Sequence, residues 1–280
     1  MIDIDFAGRR VTLARAAVMG IVNVTPDSFS DGGKFFEAVH AIEHGLALAE
    51  AGADILDVGG ESTRPGASAV STSEQLDRVL PVIESLMAQT RLPVSIDTSD
   101  PEVMRRCVAA GAGLINDVRA LQGPGALDAA LECQVPVCLM HMLGEPRTMQ
   151  VDPVYQDVVS EVGEFLVTRA DALVAQGFPA KNIILDPGFG FGKTIKHNLT
   201  LLAQLERLAV HGFPVLAGLS RKSMIPRLLG YHTDERVPAS LALALQAVNH
   251  GASILRVHDV RETREALTLW MAVAENQPIE

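Results

Sequence analysis

Short apolar runs rich in β-branched residues recur along the chain, each giving way to a polar or glycine residue: 17–22, 54–58, 94–96, 113–115, 135–140, 182–185, 215–219 and 253–257. They are short, and the pattern predicts eight strands. Between them lie segments of helical periodicity. Val39, Ile42, Leu46 and Ala49 form one apolar face at spacings of three to four. Leu76, Val79, Leu80 and Ile83 repeat it within 73–87, and further helices are expected over 158–173, 199–208, 239–248 and 262–272. Alternating strands and helices are parallel βα units. Eight of them predict an α/β chain closed into a (β/α)8 TIM barrel rather than an open doubly wound sheet. Residues 1–14 precede the first strand, where a short N-terminal hairpin capping the barrel floor is expected.

The residues that follow the runs are chemical ones: Asn23, then Gly59-Gly-Glu-Ser-Thr-Arg64, Asp97, Asn116, His141, Asp186, Ser220-Arg-Lys222, and Arg256 with His258. In a parallel barrel all strand C-termini open at one mouth, so these side chains converge there. The alternative is that strand ends are polar because loops are polar. Against it, Asn, Asp and His recur in the same phase, where turn filler would be Ser or Gly.

Composition agrees with this architecture. The 280 residues are close to the roughly 250 of a typical barrel. Hydrophobic residues make up 48% and aromatics only 4%, so the apolar mass is aliphatic, as helices on buried parallel strands require. No linker or low-complexity tract divides the chain, and one domain over 1–280 is expected. A net charge of −11 disfavours nucleic acid as a partner and asks any anionic ligand to find a local basic pocket. Cys107, Cys133 and Cys138 are odd in number and lack metal-ligand spacing, the pattern of a reducing cytoplasm. No signal pattern opens the sequence and no run of about 18 apolar residues is present, so no membrane association is expected.

Two loops carry the most specific motifs, Asn23-Val-Thr-Pro-Asp-Ser-Phe-Ser-Asp-Gly-Gly33 and Gly59-Gly-Glu-Ser-Thr-Arg-Pro-Gly66. Asn23 can offer an amide oxygen to a hard cation or a donor to phosphate. Arg64, fixed beside Pro65, suits a phosphate. Ser95-Ile-Asp-Thr98, Ile115-Asn-Asp-Val118, Leu139-Met-His-Met142, Leu185-Asp-Pro-Gly-Phe-Gly-Phe-Gly-Lys193, Ser220-Arg-Lys-Ser223 and Arg256-Val-His-Asp259 follow in order, each at a strand end. Together these segments, spanning about residues 16–275, resemble those of the dihydropteroate synthases.

That resemblance implies condensation of 6-hydroxymethyl-7,8-dihydropterin pyrophosphate with p-aminobenzoate, with Mg2+ as cofactor, sulfonamides as inhibitors and a homodimer as the assembly. By residue it implies a pterin site of Asp97, Asn116, Met140, Asp186, Phe191, Gly218, Lys222 and Arg256. Pyrophosphate falls to Asn23, Thr63, Arg64, Arg256 and His258, with Asn23 also the metal ligand. p-Aminobenzoate falls to Phe29, Thr63, Pro65, Phe191, Ser220 and Lys222. Lys222, Arg256, His258, Asn23 and Asp97 are the expected catalytic group. The residue chemistry is compatible. A pterin presents a guanidine-like donor edge that needs buried acceptors, and Asp97 and Asp186 supply them unless each is a helix cap. Arg256 and His258, two apart on a strand, face one side. Lys222 at a helix start is disfavoured by the helix dipole, which argues for a use there.

Three other strings fail. Gly188–Thr194 lacks the first glycine of a phosphate loop, which falls on Pro187, and Lys193 replaces the last glycine of a dinucleotide fingerprint. His40-Ala-Ile-Glu43-His44 spells a zinc-peptidase pattern but lies opposite the apolar helix face, and reads as solvated. A methyl-carrying pterin module and a non-catalytic pterin-binding paralogue are the competing functions. The intact Ser-Arg-Lys segment and signature loops argue against both.

Overall fold

In the computed structural model of the protein, residues 3–13, 15–24, 34–62, 70–145, 148–230 and 235–275 are described. Phe29, Thr63, Arg64 and Pro65 therefore lie outside the described residues. The chain opens with an antiparallel hairpin, β1 Asp3–Phe6 and β2 Arg9–Thr12. Eight parallel strands follow: β3 Ala17–Asn23, β4 Ile55–Gly59, β5 Val94–Asp97, β6 Leu114–Asp117, β7 Val137–Met140, β8 Ile183–Asp186, β9 Leu216–Ala217 and β10 Ile254–Val257. They run β8-β7-β6-β5-β4-β3-β10-β9, and a parallel bridge between Leu185 and Val215 joins the two ends. The eight-stranded sheet is thus closed, and among the described residues it has no free edge.

The two-residue period of the strands sorts the core. One phase, including Val18, Leu56, Val58, Ile96, Ile115, Val137, Leu139, Leu185 and Leu255, packs outward on the helices. The other phase begins with a buried apolar layer of Met19, Ile55, Leu114, Cys138, Ile184, Leu216 and Ile254. Ile4 and Phe6 of the hairpin plug this layer from the N-terminal side, as the sequence leads one to expect. Arg9 locks the plug in place, donating to the carbonyls of Met87, Thr90 and Leu92 just before β5.

The helices are α1 Lys34–Glu50, α2 Thr72–Gln89, α3 Pro101–Ala109, α4 Ala126–Cys133, α5 Val158–Val174, α6 Ile195–Ala203, α7 Glu206–Ala209, α8 Met224–Leu229, α9 Val237–Asn249 and α10 Val260–Glu275. Three differences from the sequence reading have local causes. The expected helix over 199–208 is two, α6 and α7, separated at Gln204 and Leu205. Short helices α3, α4 and α8 were not anticipated. The buried face of α1 is Ala41, Gly45 and Leu48, flanked by Ile42, Leu46 and Ala49, whereas Val39 is exposed. The shift follows from close packing on α2, since a β-carbon on Gly45 would come within 2.9 Å of Leu86. His40 Nδ1 lies 3.7 Å from a Glu43 carboxylate oxygen on α1, and no cluster of three metal-ligating side chains exists among the described residues. No helix among the described residues is long and apolar enough to cross a membrane, and the three cysteines are free.

Candidate active site

Two residues beyond the apolar layer, the same inward phase turns polar. Ile55 leads to Asp57, Leu114 to Asn116, Ile184 to Asp186, and Ile254 to Arg256. Ser95 leads to Asp97, Met19 to Ile21 and Asn23, Cys138 to Met140, and Leu216 to Gly218. The expected residues on these strand ends are brought together at the barrel mouth because the strand period is two and the strands are in register. Neither aspartate serves as a helix cap: Asp100 caps α3 and Thr194 caps α6.

Arg256 reaches across the interior. Its Nε donates to Asp57 at 2.6 Å and its Nη2 to Asp97 at 2.8 Å. Asn116 donates through Nδ2 to the same Asp57 oxygen at 3.2 Å, which leaves its amide oxygen as an acceptor for a ligand. Burial lowers the Arg256 pKa, but Asp57 and Asp97 outweigh it and the net shift is upward. Asp97 is pushed up to about 7 by burial, against the pull of Arg256 and with the repulsion of Asp57, Asp117 and Glu61. Asp57 was not among the expected site residues. Its signal was a carboxylate in the middle of the otherwise apolar Ile55-Leu-Asp-Val58.

Asp186 accepts from the Gly188 amide at 2.7 Å, and burial raises its pKa despite that bond and the nearby cations Lys222 and Arg256. The segment it anchors, 188–192, is held throughout. Lys193 passes beneath it, fully buried, and donates to the carbonyls of Gly188 and Phe191 at 3.0 Å and to His141 Nδ1 at 2.9 Å. Asn198 accepts from the Gly190 amide, Gln150 donates to the Gly190 carbonyl, and Tyr155 donates to Gly192. Glycine is required at two of these positions. At Gly188 (φ +66°) a β-carbon would sit 2.0 Å from the His141 carbonyl oxygen, and at Gly192 (φ +63°) 2.5 Å from that of Leu143.

The result is a rigid platform presenting the Phe191 ring, over which Lys222 Nζ lies 4.4 Å from the centroid. Burial and Arg256 lower Lys222 to about 8, with Asp186 and Asp97 opposing. His141, expected at the mouth, is instead committed to Lys193; burial and that cation hold it near 3. Lys193, which looked like the lysine of a broken phosphate motif, is a structural residue under the platform, its pKa lowered to about 7 by burial.

Ser220 and His258 form the remaining pair. Ser220 Oγ accepts from the His258 backbone amide at 3.2 Å and lies 3.0 Å from Nδ1. With the hydroxyl donating to Nδ1, the ring carries its proton on Nε2 and can donate from there. Burial and the cations Arg221 and Arg256 depress His258 to about 4, so at neutral pH it is a neutral donor. Arg221, at φ +55°, ion-pairs with Asp259 and donates its backbone amide to Ser240 Oγ, fixing the turn between Ser220 and Lys222. A cavity of about 180 Å³ adjoins Lys222, bounded by Gly190, Thr194, Asn198, Ser223 and Arg227.

Residues 19–258 match the family model described as pterin binding enzyme. The chain is 50% identical to the dihydropteroate synthase of Escherichia coli strain K12 over 260 residues, 93% of this chain and 92% of that protein. Among solved structures, dihydropteroate synthase of Xanthomonas albilineans with 4-aminobenzoic acid is 57% identical, with a TM-score of 0.92 over 97% of this chain and 98% of that one. The Yersinia pestis dihydropteroate synthase with a sulfonamide drug is 47% identical, with a TM-score of 0.93 over 98% and 100%.

Proposed function

From the premise that the chain belongs to the pterin-binding enzymes and, within them, to the dihydropteroate synthases, we infer how its residues carry out that transferase reaction of folate biosynthesis. 6-Hydroxymethyl-7,8-dihydropterin pyrophosphate and p-aminobenzoate give 7,8-dihydropteroate and pyrophosphate. The observation that carries the site assignment is the inward ring of Asp97, Asn116 and Asp186 beside Arg256 and Lys222.

The pterin donor edge is met by the free carboxylate oxygen of Asp186 and by Asp97, while the Asn116 carbonyl takes a further N–H. Met140 and Gly218, inward neighbours at the same level, border the ring system. Phe191 and Lys222 lie where pterin and arylamine meet. The methylene carbon–oxygen bond breaks with its electron pair leaving on pyrophosphate, and electron release from the reduced pterin stabilises the cation that remains. The amine nitrogen then bonds to that carbon and loses its proton to solvent. Arg256 and the Nε2–H of His258 face the developing charge on the leaving oxygen, where fixed donors act most strongly. Ser220 orients His258 and borders the p-aminobenzoate pocket, together with Thr63, Pro65 and Phe29. Thr63 and Arg64 complete the pyrophosphate site.

Magnesium fits what is present at Asn23: one half-exposed amide oxygen at a strand end, with no carboxylate cage among the described residues. That set suits an ion held chiefly by substrate phosphate and water. Asn23 would supply its protein ligand, and the bound ion would neutralise pyrophosphate charge. A homodimer acting in the cytoplasm, inhibited by sulfonamides at the p-aminobenzoate site, completes the reading; the free cysteines accord with that compartment. The deciding experiment measures pyrophosphate release from the pterin pyrophosphate with and without p-aminobenzoate. Release coupled to dihydropteroate is expected, and binding of both substrates without product would overturn it.

A further inference from the structure

The buried carboxylate of Asp57 has a place in the mouth that the reaction scheme above does not use. It is fully buried in the middle of β4, and three elements meet on it: β10 through Arg256, β6 through Asn116, and β4 itself. Its second oxygen, Oδ1, is buried and accepts no hydrogen bond among the described residues. Asp97 differs. It ends its strand, its side chain is 10% exposed, and it holds Arg256 through one oxygen only. Arg256 thus has two counter-ions of unlike accessibility, one sealed in the barrel and one at the surface a ligand reaches.

We propose that Asp57 is a positioning residue for the pterin site: it is the permanent counter-ion of Arg256, and it thereby frees Asp97 to exchange Arg256 for the donor edge of the ligand. A guanidinium only 22% exposed is strongly disfavoured when stripped of its partner. Were Asp97 the sole carboxylate on Arg256, each ligand that claimed Asp97 would leave that charge bare. With Asp57 in place the exchange leaves Arg256 still paired and aimed at the pyrophosphate. The same carboxylate fixes the Asn116 amide with its carbonyl toward the ligand. This inference rests on the assignment of Asp97 to the pterin.

Asp57→Asn keeps the shape and removes the charge. The test titrates two ligands, a neutral 6-hydroxymethylpterin and the pterin pyrophosphate, into wild type and variant by calorimetry. The neutral pterin is expected to lose about a hundredfold in affinity, because nothing then compensates Arg256. The pyrophosphate ester brings its own anion to Arg256 and should lose less than about tenfold. Equal losses for the two ligands, or none, overturn the proposal. A wild type that binds neither ligand refutes the pterin assignment instead. Should Asp57→Asn fail to fold, Asp57→Asn/Arg256→Gln is expected to fold, because the guanidinium that Asp57 compensates is removed along with it. A double variant no more stable than the single one would overturn Asp57 as the fixed counter-ion.

Discussion

Replacing Asp186 by asparagine tests the pterin site at its least ambiguous acceptor. One oxygen of the carboxylate is already bound by the Gly188 amide at 2.7 Å, and the asparagine carbonyl can inherit that bond. The amide nitrogen then points where the second oxygen stood and presents donors to a donor edge. Each hydrogen bond to a charged group contributes about 1.5–3 kcal/mol. Losing one or two therefore costs roughly 2–6 kcal/mol, or about 30- to 10⁴-fold in affinity. Stability should move the other way. Burial raises the Asp186 pKa above its unfolded value, so ionisation costs more in the folded protein than in the unfolded chain. That penalty appears as pH rises past the unfolded pKa and is fully present above the folded one. The neutral amide escapes it, and the ligand-free variant is expected to melt no lower than wild type. Calorimetric titration of pterin pyrophosphate, with a thermal melt on the same sample, gives both numbers. Near-normal affinity in a folded Asp186→Asn protein would falsify the assignment.

Four further outcomes are expected. Excess chelator should abolish turnover and magnesium restore it, with Asn23→Ala raising the magnesium requirement while pterin affinity stays within about threefold; full activity in chelator sinks the metal reading. Lys222 is held near 8, so if its charged form binds pterin pyrophosphate, affinity should fall about tenfold per pH unit above that point, and a flat profile up to pH 10 would contradict it. Phe191→Ala removes the ring under Lys222, a contact of about 0.5–2 kcal/mol, and should raise the Michaelis constant for p-aminobenzoate roughly 2- to 30-fold; an unchanged constant would show that the platform lies outside the pocket. A sulfonamide should compete with p-aminobenzoate and not with the pterin substrate, and a non-competitive pattern against p-aminobenzoate would place the drug elsewhere.

The barrel was legible because parallel strands buried on both faces are short aliphatic runs, and eight such runs stand out against amphipathic helices. Short helices were not, since two turns give periodicity too little length to register. Even so, α3 announced itself locally through Asp100 and Pro101, an N-cap followed by proline at the first helical position. At the mouth, Asp97, Asn116, Asp186 and Arg256 were legible because strand-end chemistry and inward phase coincide. Asp57 obeys the same phase, two residues after Ile55, yet lies inside a strand where only apolar residues were expected. Its role depends on a pairing with Arg256, 199 positions away, that no local pattern contains. Lys193 was hidden for the opposite reason: its surroundings resemble a phosphate loop, and only the fold shows that its ammonium faces backbone carbonyls.

The distribution of charge at the mouth bears on how an anionic ligand finds positive charge in an acidic protein. Among the described residues, two cations, Lys222 and Arg256, face the carboxyl groups of Asp57, Asp97 and Asp186, and Asp97, pushed up to about 7, is only about half ionised at neutral pH, so the cations bring no clear excess of positive charge. His258 adds no charge at neutral pH, because its pKa lies near 4. Such a site suits the cation-like edge of a pterin but offers a polyphosphate little net attraction unless positive charge arrives with it. Two sources are open: a divalent ion bound with the pyrophosphate at Asn23, and Arg64 in the second signature loop. The arrangement implies an order of events. Pterin recognition requires only the rigid strand ends, whereas pyrophosphate binding requires charge from outside them. Neutral pterins should therefore bind without metal, and pterin pyrophosphate should gain affinity when metal is added. A metal requirement shared equally by both ligands would mean that the ion serves the strand-end framework rather than the leaving group.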